Sequence, residues 1–143
     1  MTDQLPQLVP HLAVNGARDA IEFYKKALGA VEVMAIPAED GKRLLHAHIT
    51  INGGAVYLHD DFPDFCPSGA NANIKSPSAL GGTSLVVHLE VKNCDEAMQR
   101  AVDAGAKVVM PAMDAFWGAR YGQVVDPFGH AWSFANPLQP KAG

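Results

Sequence analysis

The order of apolar and polar positions divides the chain into two runs of the same kind. Leu8 to Val14 reads as a short strand, and the period then changes, because Ala20, Ile21, Tyr24, Ala27 and Leu28 fall on one helical face. Asn15 is the expected N-cap and Gly29 the expected C-terminal stop. Three strand-like runs follow: Val31 to Ile36, Leu44 to Ile51 and Ala55 to His59. They are separated by the hairpin signals Glu39-Asp40-Gly41-Lys42 and Asn52-Gly53-Gly54. From 61 to 83 the periodicity lapses across Pro63, Pro67, Gly69, Pro77, Gly81 and Gly82, which predicts a linker or lid. The pattern then restarts. A strand from Ser84 to Val91 leads to a cap at Asn93, a helical face of Ala97, Met98, Ala101 and Val102, and a stop at Gly105. Strands are predicted at Lys107 to Met110, around Tyr121 to Val125, and at Ala131 to Ala135.

This is an internal repeat. An offset of 77 superposes His11 on His88, Val14 on Val91 and Ala20-Ile21 on Ala97-Met98, while an offset of 76 superposes Gly29-Ala30 on Gly105-Ala106 and Tyr57 on Ser133. The prediction is an α+β fold of two βαβββ modules, residues 1–60 and 84–136, joined by 61–83 in a single domain of 143 residues. Neither module closes a core alone. Each must pack on the other or on a second copy of the chain, so a homodimer is expected.

Charge narrows the partners. With 11 Lys+Arg against 15 Asp+Glu the net charge is −4, which leaves no surplus of cations for a nucleic-acid backbone. No apolar run approaches the roughly 18 residues of a membrane span. The segment Met1 to Pro10 lacks a basic start with a long apolar stretch, so a cytoplasmic location is expected. There Cys66 and Cys94, which lack metal-type spacing, would be free thiols.

The six histidines matter by position. Strand side chains alternate between faces. With Leu45, Ala47, Ile49 and Ile51 under the helix, His46, His48 and Thr50 take the open face, and Val56 and Leu58 likewise send Tyr57 and His59 outward. His11 and His88 are repeat mates on the first strands. Imidazoles converging from different strands suit a divalent metal (Zn, Ni, Mn or Fe), for which His11, His59 and His88 are the candidate ligands. His46 or His48 is the candidate general base. The alternative for each is a half-buried, hydrogen-bonded strand histidine, the role assigned to His130. Trp117, Arg120 and Tyr121, in a Gly-bounded loop, suit a stacking wall and anion clamp for a small ligand, with Tyr57 a further contact. The alternative has Trp117 sealing the core and Arg120 paired with a carboxylate such as Asp126.

The stretches from Asn15 to Tyr24 with Leu28-Gly29-Ala30, from Phe116 to Gly122, and from Val125 to Trp132 resemble the vicinal oxygen chelate superfamily. More narrowly they are similar to its PhnB-like branch, within the glyoxalase, bleomycin-resistance and dioxygenase group, over nearly the whole chain. The resemblance implies paired βαβββ modules forming a cupped mixed sheet, usually in a dimer, with the site in the cup. In the metalloenzymes of that group the ligands come from the first and last strands of each module, which here places Val9, Tyr57, Val86 and Ser133 at those positions. None is a usual ligand, and His11, His59 and His88 each lie two residues further on. Two functions stay open. One is a metal-dependent lyase, isomerase or oxygenase acting on a small molecule, and the other is metal-free binding or sequestration of a small molecule, as in resistance proteins.

Overall fold

A computed structural model describes residues 8–62 and 74–139. The elements run β1 (His11–Val14), α1 (Ala17–Leu28), β2 (Val31–Pro37), β3 (Leu44–Ile51), β4 (Gly54–Asp60), α2 (Pro77–Leu80), β5 (Val86–Glu90), α3 (Cys94–Ala104), β6 (Lys107–Ala115), β7 (Ala119–Val125) and β8 (Ala131–Pro137). They build two four-stranded mixed sheets of the same topology, β1-β4-β3-β2 and β5-β8-β7-β6. In each, the first strand runs parallel to the last and the remaining pairs are antiparallel. This is the α+β repeat that the sequence predicts.

Both helices bury their apolar stripe. In α1 the buried set is Ala17, Ala20, Ile21, Phe23, Tyr24, Ala27 and Leu28, and in α3 it is Cys94, Met98 and Ala101. Gly29, at φ 69°, ends α1 in the left-handed conformation, with its N–H and that of Ala30 on the Tyr24 carbonyl. Asn93 caps α3 as expected, its Oδ1 accepting from Glu96 N. The expected cap at Asn15 is corrected. The N-cap is Gly16, at φ 103° and without a side-chain bond, and the amides of the first turn are taken by Asp60 at the end of β4. Its Oδ1 accepts from Gly16 N at 2.7 Å and Ala17 N at 2.8 Å, and its Oδ2 from Leu44 N at 2.7 Å. The second module repeats the device, Asn136 Oδ1 accepting from Cys94 N at 2.7 Å.

The modules share one core along α1 and α3. Tyr24 of α1 donates to Asp126 Oδ2 at 2.5 Å, and Asp126 also accepts from Trp132 Nε1, Phe128 N and His130 N. Burial and the Asp126 charge hold the Tyr24 phenol well above its ordinary ionisation range. His130 Nε2 meets the Ala13 carbonyl at 2.8 Å, and Arg100 donates to the carbonyls of Lys26 and Lys25 at the end of α1. His130 therefore joins the modules, as a hydrogen-bonded structural histidine. Buried Cys94 is a free thiol that donates to the Phe134 carbonyl, and burial with the Asp95 charge raises its pKa. Cys66 lies outside the described residues. The connection between modules is more ordered at its end than expected: Ser76 caps the single turn of α2, which packs on β1.

Candidate functional site

With the helices on one side of each sheet, the opposite faces are open. On the first sheet, His11 of β1 stands beside Tyr57 of β4, which stands beside His48 of β3. The alternation predicted for β3 holds from His46 onward, but Leu45 does not lie under the helix. The pairing jumps from Ile36–His46 to Pro37–Leu44, a bulge that turns Leu45 out to 51% exposure and buries Leu44. The result is a contiguous aromatic face. The His11 ring lies 5.7 Å from His46, 5.9 Å from Tyr57 and 4.9 Å from His59, and Tyr57 lies 4.9 Å from His46 and 5.0 Å from His48, all edge-to-face.

The His11 imidazole is biased towards the neutral form. Burial, and then the neighbouring His59 and His46, lower the His11 pKa from its ordinary value of 6.5. His59 Nδ1 lies 2.8 Å from the Asp60 carbonyl, which only accepts, so Nδ1 carries a proton and, in the neutral ring, the lone pair is on Nε2. His48 Nε2 is buried without a hydrogen-bond partner among the described residues. Among the described residues the rings of this face thus offer imidazole nitrogens and a phenol, and no carboxylate.

On the second sheet, His88 stands beside Ser133, which stands beside Gln123. His88 Nδ1 lies 2.7 Å from Ser133 Oγ, and its Nε2 donates to Glu90 two residues along the same strand. Tyr121 is stacked on His88, 6.1 Å between centroids with 14° between planes, and Trp117 lies edge-on to Tyr121 at 5.6 Å. Trp117 does not seal the core. It occupies the turn between β6 and β7, 59% exposed, beside Phe116, which is 97% exposed.

Arg120 does not join this wall. It lies within β7, one residue before Tyr121, so alternation sends it to the α3 side. There it donates to Asp95 Oδ2 and Oδ1 at 3.1 and 3.0 Å and to Asp114 Oδ1 at 3.1 Å. The hydrogen bonds from Arg120 hold the Asp95 carboxyl below its ordinary range. The expected pairing with Asp126 is also replaced, because Asp126 is saturated by the four donors named above.

The metal candidates are divided between the sheets, His11 and His59 on the first and His88 on the second. Among the described residues no group of three or more His, Cys, Asp or Glu is placed to hold a metal ion. Val9 and Val86 are apolar and the Ser133 hydroxyl is engaged by His88, so this donor set does not fit a resident metal. Sequence reasoning missed Glu90 and Asp60. Glu90 was accessible as the i+2 neighbour of His88 on one strand face. The role of Asp60 depends on the fold, because it reaches helix α1 across 43 residues of sequence.

Comparison with known proteins places the chain. The family model described as "Glyoxalase/Bleomycin resistance protein/Dioxygenase superfamily" matches residues 4–134. An uncharacterized protein of Mycobacterium tuberculosis is 48% identical over 94% of this chain and 76% of its own length. The crystal structure of TioX from a Micromonospora species superposes with a TM-score of 0.69 at 30% identity, covering 92% of this chain and 98% of TioX. A PhnB protein from Bacillus cereus has the same fold, with a TM-score of 0.60 at 18% identity over 91% of this chain and 98% of its own.

Proposed function

The chain belongs to the glyoxalase/bleomycin resistance protein/dioxygenase superfamily, and within it we propose that this protein binds a small planar organic molecule on the open faces of its two sheets. The observation that carries this reading is the pair of aromatic, solvent-facing walls: His11, His46, His48, Tyr57 and His59 on one sheet, and Trp117, Tyr121 and His88 on the other. Rings on open sheet faces, in a fold that buries Tyr24, Trp132 and Phe134, suit π-stacking of a flat ligand. Tyr57 and the imidazoles supply hydrogen bonds that orient it. Arg120 takes no part, being engaged by Asp95 and Asp114.

On this reading the protein works as a cytoplasmic homodimer. Apolar side chains line the outer strands of both sheets, Val31, Val33, Met34 and Ile36 on β2 and Val108, Val109, Met110 and Met113 on β6, all exposed in one copy. A partner covering them would bring a second wall over each aromatic face. The metal-dependent lyase, isomerase or oxygenase reading lacks a donor set among the described residues and is not pursued into a mechanism.

Tryptophan fluorescence tests the proposal. Trp132 is buried against Tyr24 while Trp117 is exposed, so quenching by a panel of aromatic acids, phenols and heteroaromatic amines reports the Trp117 wall. The expected result is saturable quenching by at least one class, lost in Trp117→Phe and retained in Arg120→Ala. A flat response across the panel overturns the reading. So would zinc, nickel, manganese or iron co-purifying in stoichiometric amount with untagged protein, which would restore the metalloenzyme alternative.

A further inference from the structure

Charge as well as ring type separates the two open faces. On the second sheet, register puts Glu90, Ala135 and Tyr121 in one row across β5, β8 and β7. Val87 and Leu89, the alternate residues of β5, pack on the helix-side core, so Glu90 faces outward with His88. Glu90 accepts from His88 Nε2 and still keeps 67% of its side chain exposed. A carboxylate has about four lone-pair sites, so one bond leaves most of its accepting capacity unused. Among the described residues His88 is the one group bonded to this carboxylate, and Lys92, past the end of β5, forms no ion pair with it. The two cations of this sheet lie elsewhere. Arg120 is held by Asp95 and Asp114 on the α3 side. Lys107 pairs with Val125 at the opposite corner of the face, which puts its backbone roughly 20 Å from that of Glu90. The first module has no counterpart, because the repeat places Ala13 where the second has Glu90.

Resting on the reading that this face binds a planar molecule, we propose that the second-sheet wall selects a planar organic cation, an N-alkylated or protonated heteroaromatic. Its ring lies against Trp117 and Tyr121, whose negative π faces attract a delocalised positive charge, and its charged edge is directed towards Glu90. Glu90 and Tyr121 flank Ala135 in one row, so their backbones are about 10 Å apart, a gap that the two side chains and a bicyclic ligand span. Every group the ligand meets is at the surface: the Glu90 carboxylate, the Tyr121 ring, and Trp117 at 59% exposure. An aromatic acid would bring a second negative charge to Glu90 with no cation of the sheet in reach, so it is rejected. The rings supply affinity on this account, and Glu90 is the specificity-determining residue.

Equilibrium dialysis against three bicyclic probes of similar shape tests this: N-methylquinolinium, a fixed cation; quinoline, uncharged at neutral pH; and naphthoate, an anion. The expected order of affinity is cation, neutral, anion, and added salt weakens the cation alone. Glu90→Gln lowers the affinity for N-methylquinolinium by roughly tenfold, the scale of one charge-assisted contact, and leaves quinoline unchanged. Glu96→Gln removes the same charge from an exposed position on α3 and changes neither. Trp117→Phe weakens both probes, and all three variants keep the circular dichroism of the parent. A cation bound no more tightly than quinoline, a preference that survives Glu90→Gln, or one lost equally in Glu96→Gln overturns the proposal. Binding of other aromatic probes but not of N-methylquinolinium also overturns it and leaves the binding reading standing. Failure of every probe overturns both.

Discussion

Asp60 and His11 show how much a single side chain governs here. Asp60 is buried and serves three backbone amides, those of Gly16, Ala17 and Leu44, tying the start of α1 to β3 and β4. Removing the carboxylate leaves buried donors unsatisfied at about 1–3 kcal/mol each, so Asp60→Ala should lower stability in urea unfolding by about 3 kcal/mol or more, and Asp60→Asn by less. His11 gives a pH prediction whose sign follows from its surroundings. Its lowered pKa means that the folded chain takes up this proton less readily than the unfolded chain. Its contribution to stability is therefore complete above the ordinary value of 6.5 and declines as the pH falls through that value towards the folded pKa. In proton NMR the His11 ring should titrate below free imidazole side chains, and His59→Gln, which removes a neighbouring charge, should move its midpoint upward.

At the scale of elements, helices and turns were legible and side-chain direction near irregularities was not. The amphipathic stripes of α1 and α3, the glycine stop at Gly29 and the Asn93 cap follow from local chemistry alone. So does the Asn52-Gly53 turn, where φ values of 51° and 81° match the pair of left-handed residues that a tight hairpin requires. Leu45 defeats the alternation rule because a bulge, a property of the pairing between β2 and β3, inserts one residue out of phase. The glycines around Arg120 predict a loop shared with Trp117 and Tyr121, and only its place inside β7 turns it towards Asp95. The closeness of α3 to β7 yields a prediction of its own. A Cβ at Gly122 would lie 2.9 Å from Met98 Sδ and 3.2 Å from Ala112 Cα, so Gly122→Ala should destabilise by about 1–3 kcal/mol in denaturant melts. A second change, Met98→Ala, should partly relieve that clash and show as non-additivity in a double-mutant cycle.

For the whole molecule, the internal repeat extends to register: His11 beside Tyr57 beside His48 is matched by His88 beside Ser133 beside Gln123. Each sheet has its helix on one face and leaves the other open, with apolar β2 and β6 uncovered in a single copy. Sedimentation should therefore give a dimer, and Met34→Glu with Met110→Glu should shift it to monomer while the far-ultraviolet circular dichroism is kept. Sequence alone determined the two βαβββ modules, the helix faces, the turns and the placing of Tyr57 and His59 on an open face, because period, glycine and alternation act over a few residues at a time. Tertiary structure alone decided which side chains meet. It divided the candidate metal histidines between two sheets, drew Arg120 to Asp95 and Asp114, placed Asp60 on the amides of α1 and closed the chain from Glu90 through His88 to Ser133. Those contacts join residues up to dozens of positions apart, and their geometry comes from strand pairing and helix packing, which no local pattern encodes.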